Sequence, residues 1–197
     1  MLKDVIKEKF KKEWKSIVEV EPLLFASFVP LVYPDGDTSK KPLQDLYCEL
    51  HDRAKVKDAA ENALAEYNRM HHSGKMNLVL FVSAIEHIVK IHRVITTEFG
   101  NALLVGVGGS GRKSLTALAT FIANFEIFSI ELSKNYDFTA WRDDMKNKLF
   151  MGCGVDQKQT VFLFSDTQIS NEAFVEDINN ILNNGEIPNL YVAAEDQ

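Results

Sequence analysis

Residues 101–115, NALLVGVGGSGRKSL, pass from an apolar run into four glycines within six positions and then into two adjacent cations. A strand ending near Gly106 and a helix starting near Arg112 would leave glycines to make the turn between them. Without a Cβ they let the backbone bend sharply and bring several N–H groups to one point at a helix amino end, where an anion is held. Phosphate is the guest that such a loop suits. Spacing alone does not choose the ligand. Gly106, Gly108 and Gly111 spell the GxGxxG of a dinucleotide site, while Gly106 and Gly111 also span the GxxxxG of a nucleoside-triphosphate loop.

Each template finds further support downstream. The dinucleotide reading needs an acid for a ribose hydroxyl, and Glu131 stands 20 residues beyond Gly111 at the end of the next strand-like run. The triphosphate reading needs cations at the helix start, supplied by Arg112 and Lys113, and a carboxylate at the end of a neighbouring strand. VFLFSD, residues 161–166, delivers Asp166 in that way, 60 residues after Gly106. A third reading leaves the loop empty, as part of a scaffold.

The rest of the chain bounds these options. Its 197 residues are 46% hydrophobic and 25% charged, which suffices for one or two compact units. A net charge of −6 and the lack of a basic tract argue against nucleic acid as partner. No run of 18 apolar residues predicts a membrane span, and the amino end, MLKDVIKEKFKKEW, has no signal-like apolar core. Cys48 and Cys153 lack ligand spacing and read as reduced thiols in a cytosolic setting. His71 and His72 lack a third ligand and read as solvated.

Periodicity predicts helices over 3–20, 43–70 and 77–97, the last well buried, with residues 21–42 an irregular connection holding four of five prolines and a PDGD turn at 34–37. The lysines at 7, 9, 11, 12 and 15 read as a solvated face. After Phe99 three apolar runs, at 102–107, 126–132 and 160–166, alternate with helical stripes, which predicts a parallel sheet. Those stripes are Leu115, Leu118, Ala119 and Ile122; Phe138, Trp141, Met145 and Leu149, read as core; and Phe174, Val175, Ile178, Ile181 and Leu182. Ser170 is the expected cap of the last helix and Gly185 its terminator. The alternation predicts an α/β fold class.

GNALLVGVGGSGRKSLTALATFIANFEIFSIELSKNY, followed by VFLFSDTQISNEAFVEDINNILNNGEIPNLY, closely resembles the fourth AAA+ module of axonemal dynein heavy chains. The upstream stretches EPLLFASFVPLVYPDGDTSKKP and MNLVLFVSAIEHIVKIHRVI are similar to the region that joins the third module's lid to the fourth module's core. A division into a helical connector at 1–75 and a nucleotide-binding core at 76–197 is what that family resemblance implies. The resemblance implies a small piece of an ATP-driven, minus-end-directed microtubule motor, placed in the cytoplasm, the cytoskeleton and the ciliary axoneme. It implies ATP or ADP as ligand at Gly106, Val107, Gly108, Gly109, Ser110, Gly111, Arg112, Lys113 and Ser114, with Asp166 as ligand to Mg. The implied partners are the rest of the heavy chain and its neighbouring AAA+ modules, with microtubules reached only through the whole motor.

The chain departs from that family pattern. An intact loop carries Lys and then Ser or Thr after its last glycine, whereas this one carries Arg112 and Lys113. The guanidinium is planar and forked, and Lys113 puts a cation where magnesium takes a hydroxyl. Ser114 is turned away by about 100°, one residue further round a helix. Thr167 occupies the position of the general-base Glu, so hydrolysis is expected to be inefficient and the site regulatory or structural. AAA+ cores have a five-stranded sheet ordered 5-1-4-3-2. This chain supplies three strands, which implies an incomplete three-layer core whose strand at 102–107 has an open slot beside it.

Overall fold

The computed structural model describes residues 2–13, 24–29, 47–72 and 74–191. The PDGD turn and most of the proline-rich connection lie outside these residues, as do Trp14, Ile17 and Val18. The chain divides into two compact units, residues 1–90 and 91–197.

In the first unit, α1 (Leu2–Lys9) leaves Val5, Ile6 and Phe10 exposed. A short antiparallel pair follows, β1 (Phe25–Ala26) against β2 (Cys48–Glu49), with Phe25 opposite Glu49 and Ala26 opposite Cys48. Of the helix predicted from Leu43, residues 43–46 lie outside the described residues; 47–52 are not helical, and α2 runs over Arg53–Met70. Asp52 sets that start: its carboxylate accepts from the backbone N–H of Ala54 at 3.0 Å and of Lys55 at 3.3 Å, an N-cap that ends the extended stretch before it. Val56 and Ala60 are the buried face of α2.

The next helix, α3 (Val82–Thr96), also begins later than the predicted Asn77. Asn68 explains the delay. Its side chain donates to Met76 O at 2.9 Å and accepts from Met76 N at 2.7 Å, so both backbone groups of Met76 are engaged by a side chain rather than by a helix. α3 is not buried all round: Ala84, Ile85, Ile88, Val89, Ile91 and His92 are buried, while Ser83, His87 and Lys90 face out. Thr96 and Thr97 turn their hydroxyls back onto Arg93 and His92 carbonyls at its end.

The second unit holds the parallel sheet, formed by β3 (Glu126–Phe128) and β4 (Thr160–Phe162) in the register Glu126 to Thr160, Ile127 to Val161 and Phe128 to Phe162. Backbone bonds from Glu126 N to Gln159 O and from Leu163 N to Phe128 O, both 2.8 Å, extend the ladder at its two ends. α4 (Arg112–Ile122) precedes β3 and buries Leu115, Leu118 and Ala119. Between β3 and β4 run α5 (Phe138–Asp144) and its π-helical continuation Met145–Val155; α6 (Glu172–Asn184) follows β4.

The run at 102–107, predicted as a strand, has no ladder partner among the described residues. Leu103, Val105 and Val107 are 90%, 85% and 79% exposed. A strand is a paired object, and an apolar run with neither neighbouring strand nor covering layer has nothing to complete its backbone bonds. α6 is capped by Asn171, which accepts from Ala173 N at 2.9 Å, rather than by the expected Ser170. Its terminator is as read: Gly185 takes a left-handed φ of 75°.

One aromatic cluster gives this unit its core. Trp141 is fully buried and stacks on Phe174 with centroids 4.4 Å apart and planes 9° from parallel. Its edge meets Phe164 at 5.5 Å and Phe162 at 6.2 Å, and Phe162 stacks in turn on Phe128 across the strand pair. Ile130, Met145, Leu149, Ile187 and Leu190 close the cluster. Tyr136 approaches the edge of Phe174 and donates to Asp144 at 2.8 Å. Burial, then that hydrogen bond and the carboxylate's charge, raise its pKa far above the ordinary 10.0.

A polar lock ties the cluster to α6. Asp177, itself buried, accepts from Trp141 Nε1 at 2.9 Å and from Arg142 Nη2 at 3.2 Å. Arg142 Nη1 donates to Pro188 O at 2.9 Å, and its guanidinium lies 5.0 Å from the Phe138 ring centroid. Removing one partner of a buried charged pair strands the other. Asp177→Ala is therefore expected to lower unfolding stability by about 3 kcal/mol or more, with Asp177→Asn, which keeps an acceptor for Trp141, costing clearly less. Urea denaturation followed by Trp fluorescence measures both; equal, small losses would show the lock to be incidental.

Candidate functional site

The glycine loop is built for backbone exposure. Gly109 and Gly111 have φ of 76° and 77°, a region that side chains other than glycine's enter at a cost. Gly111 is the N-cap of α4, and no side chain caps the helix there. The first-turn N–H groups and the positive end of the helix dipole are thus turned toward whatever the loop holds. Beside Gly108 and Gly109 there is open space, whereas a Cβ at Gly106 would stand 3.3 Å from Ser110 Oγ and 3.6 Å from the Arg112 side chain. Ser110 N–H closes the turn onto Val107 O at 3.3 Å.

Arg112 is engaged within the loop in this structure. Nη1 donates to Leu104 O at 3.1 Å and Nη2 to Val107 O at 3.2 Å. The forked guanidinium braces the loop from within, bonding carbonyls on both sides of Gly106. Lys113, one residue on, is exposed and its ammonium has no hydrogen bond or ion pair among the described residues. Ser114 is half-buried in the first turn.

Asp166 and Thr167 lie on a short 3-10 turn, Asp166–Gln168, beyond the end of β4, and both are exposed. The Thr167 hydroxyl is 2.9 Å from Ser165 Oγ. Gln168, which the sequence did not single out, holds this turn in place. Its Oε1 accepts from Ser165 N at 2.8 Å and from Ser165 Oγ at 2.9 Å, and its Nε2 donates to Ile130 O at 2.6 Å and Ser129 Oγ at 3.1 Å. One amide side chain thus joins the turn that carries Asp166 to the end of the neighbouring run after β3. Only the S-x-x-Q spacing of its capping box was visible in advance.

The residues do not suit magnesium. The ion takes near-octahedral oxygen ligands, with one or two carboxylates and a hydroxyl beside the phosphates. Asp166 is the one carboxylate read for the task, and Lys113 stands where the hydroxyl would be. His71 instead stacks on Tyr67 at 4.1 Å, its Nδ1 3.0 Å from Tyr67 O.

The dinucleotide plan fails on pairing. It requires the strand before the glycine loop to lie beside the strand that carries Glu131. β3 pairs with β4, and 102–107 pairs with neither. Glu131 is exposed beyond the end of β3.

A glycine-rich turn before a helix with an uncapped amino end, with a parallel strand pair beyond it, is the arrangement of a P-loop type of module. The family model of the P-loop containing dynein motor region D4 matches residues 76–197. The chain belongs to this dynein family. It is 43% identical over 188 residues to human "Dynein axonemal heavy chain 1", covering 95% of this chain. It is 51% identical over 160 residues, 81% of the chain, to mouse "Dynein axonemal heavy chain 2". To "Dynein-1-beta heavy chain, flagellar inner arm I1 complex" of Chlamydomonas reinhardtii it is 49% identical over 150 residues, 76% of the chain. The matches span 4%, 4% and 3% of those proteins' lengths. No helix among the described residues is long and apolar enough to cross a membrane.

The Gln168 brace is open to test. Gln168→Ala removes four hydrogen bonds and is expected to cost about 2 to 4 kcal/mol, at roughly 0.5 to 1.5 kcal/mol each and with partial rescue by water. Ser165 N–H should lose its protection from hydrogen exchange in the same variant. Unchanged protection there would mean that the turn holds itself.

Proposed function

We propose that this chain is part of an axonemal dynein heavy chain, an ATP-driven microtubule motor of the cilium, and that residues 76–197 contribute an adenine-nucleotide site that turns over poorly. Residues 1–75 are, in this reading, the helical connector from the preceding module. The observation that carries it is the glycine loop itself: two left-handed glycines and an uncapped helix amino end, in a chain of the dynein D4 family. Motor activity, microtubules and the neighbouring AAA+ modules belong to the whole heavy chain.

Poor turnover rests on Thr167. Hydrolysis needs a group that orients or deprotonates the attacking water, and loss of such a base costs about 10² to 10⁴ in rate. A threonine hydroxyl near its own neighbour Ser165 is no substitute for a carboxylate. The site then serves as a regulatory or structural element, responding to nucleotide without consuming it quickly. The unpaired 102–107 run supports the further reading that the AAA+ core of this module is completed by strands from elsewhere in the heavy chain.

ADP and ATP are expected to raise the melting temperature of the chain, with NAD and NADH without effect, since a ligand that binds only the folded state stabilises it by mass action. ATPase activity should stay near background in the native chain and in Thr167→Glu. Stabilisation by NAD alone, or a robust basal rate abolished by Asp166→Ala, would refute this assignment.

A further inference from the structure

The mismatch between these residues and a magnesium site has a chemical alternative written into the loop. We infer that the site binds adenine nucleotide without a divalent cation, with the Lys113 ammonium supplying the charge that the metal supplies in an intact loop. The inference rests on the nucleotide reading above and specifies the form of the ligand: free, metal-less ADP or ATP.

Three observations carry it. First, the hydroxyl that would ligate the metal is gone, and the group in its place is a cation. An ammonium beside the phosphates repels a dication and makes it redundant, since both neutralise the same oxygens. Second, the other cation of the loop is already engaged. Both terminal nitrogens of Arg112 are bonded to the carbonyls of Leu104 and Val107, so its fork is turned into the loop and the phosphate charge falls to Lys113. Third, Lys113 is the second residue of α4, exposed and without a side-chain partner among the described residues. Four rotatable bonds let its compact ammonium reach toward an anion at the helix amino end. On the metal's side stands Asp166, exposed on its turn beyond β4.

The division of labour follows. The glycine backbone and first-turn N–H groups of α4 fix the phosphate's place, Arg112 holds the loop open around it, and Lys113 balances the charge. Because Lys113 makes no contact that the fold uses, its replacement leaves the folded chain intact.

The test is a titration of the 197-residue chain with fluorescent ADP, in excess chelator and again in excess magnesium. The native chain is expected to bind in both, with affinities within about threefold of each other. Lys113→Ala should bind about tenfold or more weakly in chelator, the scale of one lost charge-assisted hydrogen bond, while melting as the native chain does. Lys113→Arg, which keeps a cation, should retain most of the affinity. Binding by the native chain that weakens tenfold or more on chelation would overturn the inference and leave the nucleotide reading standing. So would native-like affinity of Lys113→Ala. No binding in either condition would remove both.

Discussion

The stacking of Trp141 on Phe174, locked by the bond from its indole N–H to buried Asp177, is the contact on which the second unit depends. The strand pair is only three residues long on each side, and a two-stranded ladder of that size is not stable in water without a packed face. Burial of the large aromatic side chains supplies about 1.5 to 3 kcal/mol each. Phe128, Phe162 and Phe164 pack against this cluster. The aromatic core, more than the ladder, decides where the strands end, and so where the Asp166 turn begins.

From that core the geometry passes outward in two steps. Phe164 packs against Trp141, which sets the backbone two residues before Asp166. Gln168 then closes the turn onto Ile130 and Ser129. The glycine loop is organised differently, by its own residues. Arg112 bonds carbonyls on either side of Gly106, and Ser110 N–H closes the turn onto Val107 O. One half of the candidate site is therefore anchored in the aromatic core, while the other is self-braced.

Much of this was legible in the residues, for local reasons. The stripe from Phe138 to Leu149 is core because its spacing puts Trp141, Met145 and Leu149 on one face, and Gly185 stops its helix because a left-handed residue is needed there. The glycine loop was likewise visible, as were the apolar runs at 126–132 and 160–166, whose first three residues form the strand pair. What escaped depends on contacts distant in sequence or on competing caps. Gln168 acts on residues 38 and 39 positions away, and nothing in its neighbourhood announces that. Tyr47 and Leu50 continue a helical stripe in sequence, but they lie in the extended stretch that the Asp52 cap ends. Residues 102–107 carry a strand's composition and have no ladder partner among the described residues, since pairing belongs to two segments and composition to one. Arg112 shows the same limit: its charge was plain, and the direction of its fork was not.

The central claim is that an aromatic core orders the strand pair while the apolar run before the glycine loop stays unpaired. Native-state amide hydrogen exchange, resolved to single residues in the 197-residue chain, tests it most directly. The account predicts strong protection at 126–128 and 160–163, and fast exchange throughout 102–107. Equal protection of 102–107 and 160–163 would contradict it, because that run would then be part of a sheet that this structure does not contain.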